Sequence, residues 1–199
     1  MLNDPIPDTR NRIAYLMSLL FHPFVVAILT LLVVLRDVNW LEAITWTGLI
    51  AVILIAPPAG GILYFKRQQR YVYQRKTRGA LYLLGWSGAL VGLLVTFIFD
   101  GPQVLVACLA TLLVWVPMQM TFNSYLTKVS IHVAVAVGCA TALFALGTLD
   151  TVELKIMALV VILVVTWSRI VTRNHTIMQV VLGVILGVVP VLLVFTQMV

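Results

Sequence analysis

Charge is scarce in this chain. Only 10% of its 199 residues are charged, where an ordinary soluble domain has about 25%, and seven of them are acids. With 62% apolar residues and a mean hydropathy of +1.08, that shortage excludes a soluble globular protein. The few acids form no cluster beside any of the three histidines, which argues against a metal centre. Cysteine is equally sparse. Cys108 and Cys139 sit in separate apolar runs with no C-x-x-C spacing, so they are expected to be small interior residues with free thiols. The opening "MLNDPIPDTRNR", residues 1–12, lacks the basic start and small-residue cleavage site of a signal peptide, so the first apolar run is expected to be retained. Repeats and low-complexity tracts are missing, and neither a cofactor nor a nucleic-acid partner is expected.

What is present is a series of apolar runs at about 13–35, 41–65, 80–99, 103–122, 129–148, 154–171 and 176–199. Each is near the roughly 20 residues that a membrane-crossing helix needs. The prediction is an all-α, polytopic integral membrane helical bundle of about six or seven transmembrane helices, seven by this count. Pro57 and Pro58 in "IAPPAGG" should kink or break the second helix near its end, because they remove backbone donors that hydrocarbon cannot replace.

Seven spans place the N-terminus and the loops after helices two, four and six on one side of the membrane. That side carries eleven bases and two acids, and the other two bases and five acids. By the positive-inside rule the basic side faces the cytoplasm.

Three basic clusters meet on that side. The loop "KRQQRYVYQRKTR" has six bases in thirteen residues, "KVSIH" puts Lys128, Ser130 and His132 at the mouth of helix five, and "SRIVTRNHTIMQ" brackets the start of helix seven. A lipid-headgroup rim explains the loop by itself. It does not explain His132 and His175, each in the first residues of an apolar helix, where amides and the positive helix end favour an anion. Two histidines, each with a base and a serine nearby, are most economically read as a phosphate site.

At these residues the chain resembles a known family. "SRIVTRNH", with Gln179 four residues further on, is similar to the third signature of the type 2 phosphatidic acid phosphatase superfamily: S-R, five residues, H, three residues, D. Ser168, Arg169 and His175 match at the right spacing. "VSIH", from Val129 to His132, resembles the second signature, P-S-G-H. The first, a lysine, six residues, then R-P, is not met, since Arg78 precedes Gly79 and follows Tyr71 by seven; Arg75, Lys76 and Arg78 are candidates for its role. Gln179 stands where the family usually has aspartate, and Ile131 where it has glycine. "HTIMQV" also resembles the form taken in dolichyl-diphosphatase-like members.

The resemblance implies one membrane-embedded phosphatase-like domain over residues 1–199, with a polar segment at 1–12 and a basic loop at 66–79. His175 would attack phosphorus as nucleophile, His132 would protonate the leaving oxygen, and Gln179 would fix the His175 tautomer without bringing a charge. Arg169, Ser168, Ser130, Lys128, Arg78 and Arg75 would hold the phosphoryl oxygens, a task that needs no metal. The expected partners are a lipid phosphate substrate and membrane lipids, and the expected place is the cell membrane of a prokaryote, multi-pass. Two other classes stay open: a non-catalytic binder of anionic lipid and a small-anion transporter.

Other features read as structural. His22, before Pro23, is expected to bond a carbonyl freed at a kink. Gly183 and Gly187 form a G-x-x-x-G pair of the kind that marks close helix packing. The five tryptophans, Trp40, Trp46, Trp86, Trp115 and Trp167, are expected largely towards helix ends.

Overall fold

A computed structural model describes residues 9–68 and 75–198, the side chains of Arg75 and Lys76 excepted. Residues 1–8 of the polar N-terminal segment and 69–74 of the basic loop lie outside the described residues. Eight helices make up the described structure: α1 (Thr9–Leu20), α2 (Pro23–Val34), α3 (Trp40–Arg67), α4 (Arg75–Ile98), α5 (Gln103–Tyr125), α6 (Ile131–Ala145), α7 (Val152–Val171) and α8 (Ile177–Met198). Five of them, α3, α4, α5, α7 and α8, are long and apolar enough to cross a membrane. The pair α1 and α2 makes a sixth span if taken together. The chain is a polytopic helical membrane bundle.

Three elements differ from expectation. The first apolar run is two helices, bent by 42° at a short break. The cause is local: Pro23 has no N–H to give and confines His22 to extended backbone, φ −61° and ψ 139°. The run at 129–148 yields only the 15 residues of α6, an apolar helix shorter than a full span. Conversely, Pro57 and Pro58 do not break α3, whose 28 residues run on past them to Arg67. They leave the carbonyls of Ile53 and Leu54 without their helical donors. A Cβ on Gly88 of α4 would lie 2.8 Å from the Ile53 oxygen, so this glycine lets the α4 backbone pack directly over a carbonyl that has lost its donor.

The bundle core is organised around α6, which packs against α8, α2 and α7, while α4 lies between α3 and α5. Val133, Ala136 and Val137 of α6 close on Val165 of α7 and Val180 of α8. The α6–α8 seam is glycine-lined, as the G-x-x-x-G spacing suggests. A Cβ on Gly183 would meet the Ser130 carbonyl oxygen at 2.9 Å, and one on Gly187 the Ala134 carbonyl oxygen at 2.7 Å. A second cluster joins Ile50 of α3 to Leu105 and Leu109 of α5. The outer surface is apolar, as a lipid-facing surface must be: Ile156, Leu159, Val160 and Leu163 all lie exposed along α7. Trp86 is an exception to the expected belt, since its Nε1–H donates across to the Leu113 carbonyl on α5 at 3.1 Å. Both cysteines carry free thiols.

Candidate functional site

Two short connections carry the polar residues. The turn after α7 closes on the carbonyl of Arg169, which accepts the backbone N–H groups of both Asn174 and His175 at 3.2 Å. Arg173 takes the left-handed conformation that lets the chain reverse there, φ 54°, a position more often filled by glycine or asparagine. The helix end and the imidazole are thereby fixed to one another. Ser168 is fully buried, and its Oγ donates to the Val165 carbonyl within α7 at 2.7 Å. Its hydroxyl is thus engaged in the last turn of that helix.

The connection before α6 is held by other means. Asn123, buried near the end of α5, accepts the Val129 N–H on Oδ1 at 3.1 Å, while its Nδ2 donates to Tyr82 Oη and to the Gln119 carbonyl. The Ser130 N–H donates to the carbonyl of Gln179 at 3.2 Å. Ser130 is the N-cap of α6, yet its side chain caps none of the first-turn amides, and its fully buried Oγ has no hydrogen-bond partner. The start of α6 therefore keeps the unspent donors that make a helix end attractive to an anion.

Gln179 joins the two connections. Its Oε1 lies 3.3 Å from the Thr176 N–H and 3.0 Å from His175 Nδ1, and its Nε2 donates to Thr127 Oγ1 at 3.1 Å. A backbone N–H can only donate, so the atom facing Thr176 must be the amide oxygen. That oxygen can only accept, so Nδ1 of His175 carries the proton and the lone pair of the neutral ring is left on Nε2. His175 is buried, and its pKa is pushed down to about 4, first by that burial and then by the Lys128 charge, with hydrogen bonds to Gln179 and to the Lys128 backbone opposing. The ring is consequently neutral at neutral pH.

The cations converge on the same place. Lys128 Nζ reaches the Asn174 carbonyl at 3.5 Å. Its own pKa is lowered by burial and by the charges of Arg78 and Arg169. Arg78, in the first turn of α4, has a buried Nε without a hydrogen-bond partner among the described residues. His132, second residue of α6, has Arg169, His22 and His175 as its electrostatic neighbours. Thus Lys128, His132, Arg169, His175 and Gln179 share one neighbourhood, with Arg78 at its edge. The side chain of Arg75, also a candidate, lies outside the described residues. Among the described residues no three His, Cys, Asp or Glu side chains gather as a metal would require.

Four participants were not singled out as site residues by sequence reading: Asn123, Thr127, Ser18 and His22. Ser18 Oγ accepts from Arg169 Nη1 at 2.6 Å. Instead of bonding a carbonyl freed at a kink, His22 caps α2, its Nδ1 accepting the Phe24 N–H at 3.4 Å, and its ring lies 5.6 Å from that of His132. The readable signal for Asn123 was a polar side chain inside an apolar helix, a functional hint in any membrane segment.

A membrane bundle with two histidines in a nest of cations is the kind of site that handles phosphate. The family model described as PAP2 superfamily matches residues 59–199, and the chain belongs to that superfamily. Its members are generally phosphatases acting on phosphate esters. No curated protein and no solved structure matches the chain. The matched region includes both connections and every cation of the site, but none of α1 or α2.

Proposed function

We propose that the protein is a metal-independent lipid phosphatase that removes phosphate from a membrane lipid through a phosphohistidine. The observation that carries this reading is the Gln179 amide, which leaves the His175 lone pair on Nε2 beside a cluster of cations. Nε2 attacks phosphorus as the ester or anhydride P–O bond breaks, and His132 gives its proton to the departing oxygen. Water then attacks the phosphohistidine, losing a proton to His132 and releasing inorganic phosphate with His175 restored. Arg169, Lys128, Arg78 and the first-turn amides of α6 stabilise the phosphoryl oxygens as negative charge builds on them. Ser130 Oγ is a spare donor for the same oxygens, whereas Ser168 acts by fixing the helix end that carries Arg169. Polyprenyl diphosphate is the first substrate to try, on the "HTIMQV" resemblance, followed by phosphatidate and phosphatidylglycerophosphate. The charge excess of the side that holds the site supports a cytoplasmic orientation, in what we take to be a prokaryotic cell membrane.

The test is phosphate release by the detergent-purified protein from those three lipids, without added metal, beside His175→Ala. Release from one of them that disappears in the variant, with lipid binding retained, is the expected result. No release from any of the three would overturn the reading in favour of a non-catalytic binder of anionic lipid.

A further inference from the structure

The broken first span lies outside the region matched by the family, yet it touches the site twice. Ser18, near the end of α1, accepts a hydrogen bond from Arg169, and His22, in the break itself, lies against His132. These contacts join α1 to α7 and the cap of α2 to α6, helix pairs that also pack against each other.

His22 is held more firmly than a residue in a break usually is. Pro23 restricts its backbone, and its Nδ1 accepts the Phe24 N–H, which fixes both the ring position and the tautomer. One side of the ring packs on Phe24, with centroids 5.2 Å apart, and another meets His132 at 5.6 Å with the ring planes at 80°. That is the edge-to-face arrangement that aromatic rings prefer. His132 sits in the first turn of α6, where the side chain of the N-cap, Ser130, makes no capping bond. The His22 ring is therefore a neighbour that limits how the His132 imidazole can turn.

We propose that His22 is a positioning residue for His132: its pinned ring holds the His132 imidazole in the orientation from which a proton reaches the leaving oxygen. The inference rests on the phosphatase reading above. It assigns the α1–α2 break a working part in the site, in addition to its part in the fold. Helix capping and ring contact make opposite demands on a substituted residue, and this separates the two roles. Asparagine at position 22 keeps a cap acceptor but loses the ring, whereas phenylalanine keeps a ring against His132 and loses the cap.

The experiment compares wild type, His22→Asn, His22→Phe and His132→Ala, each as the full chain, on two substrates. One is phosphatidate, an alkyl phosphate ester whose leaving oxygen needs a proton; the other is p-nitrophenyl phosphate, whose leaving group departs without one. A displaced proton donor costs up to about 100-fold in rate. The expected pattern is a fall of that order in kcat for His22→Asn on the alkyl substrate, substantial recovery in His22→Phe, and little change for either on p-nitrophenyl phosphate. If His22→Phe is the worse of the two, or if both substrates suffer equally while His132→Ala still discriminates between them, His22 serves only the fold and the inference falls alone. If His132→Ala fails to discriminate, or wild type releases no phosphate, the acid role of His132 or the phosphatase reading has failed, and this inference falls with it.

Discussion

The backbone N–H of Ser130 donates to the carbonyl oxygen of Gln179, so the connection before α6 and the first turn of α8 are joined through main chain as well as side chain. Gln179 thereby contacts four residues at once: Ser130 through its carbonyl, His175 and Thr176 through Oε1, and Thr127 through Nε2. Few substitutions at this position can satisfy all four.

Gln179→Ala frees the His175 ring to rotate and to change tautomer. Turnover is expected to drop by roughly 100-fold, the order of loss that follows from a misplaced reacting group. Gln179→Glu keeps an acceptor for Nδ1 and adds a negative charge, which favours the imidazolium. Its pH–rate profile should show the acid limb displaced to higher pH. An unchanged limb would mean that His175 does not set it.

The pKa of His175 lies below its ordinary value of 6.5, at about 4. A depressed histidine is neutral above its own pKa, so attack by Nε2 is fully available at neutral pH and is lost as the pH falls through about 4. The acid limb of kcat/KM for wild type is expected there. Lys128→Met removes the second-largest cause of the depression, so the limb should move up towards 6.5, and if Lys128 holds the phosphate as proposed KM should rise as well. A limb that stays in place would show that the Lys128 charge is not felt at the ring.

Gly183→Ala and Gly187→Ala each place a methyl group against a carbonyl oxygen of α6 that cannot withdraw without moving its helix. Each is expected to cost about 1–3 kcal/mol, the usual penalty for overpacking, read from thermal unfolding in detergent. Gly183→Ala should lose activity as well, since the oxygen it meets belongs to Ser130. Gly48→Ala, which meets nothing within 4 Å, is the control and should leave the unfolding midpoint no lower.

The membrane bundle was legible because hydrocarbon-length runs leave few alternatives for a backbone that must satisfy its own hydrogen bonds. The grouping of Arg169, His175 and Gln179 was legible too, because their spacing spans one helix end, a turn and the next helix start. The α1–α2 break was legible only as a kink at Pro23, not as a division into two helices. His22 and Pro23 interrupt hydropathy too briefly to divide a run, and a proline can be absorbed, as Pro57 and Pro58 are in α3. Nor could the sequence show Asn123 supporting Val129, because a side chain bonding a backbone six residues away leaves no periodic trace. Contacts such as Ser18 with Arg169, 151 residues apart, exist only once the helices have packed.

The carbonyls of Ile53 and Leu54 give the bundle an uneven stiffness. A helix resists bending through its ladder of hydrogen bonds, and α3 lacks two consecutive rungs at Pro57 and Pro58. Gly88 covers the Ile53 oxygen without gripping it, having no side chain to interlock. The histidine side of the bundle is different, because α6 and α8 are locked by close glycine contacts and by the bonds of Gln179. The α3–α4 flank and the α6–α8 flank therefore differ in how their backbones are tied. One can bend at the two missing hydrogen bonds, while the other is held by backbone contacts along α6 and α8.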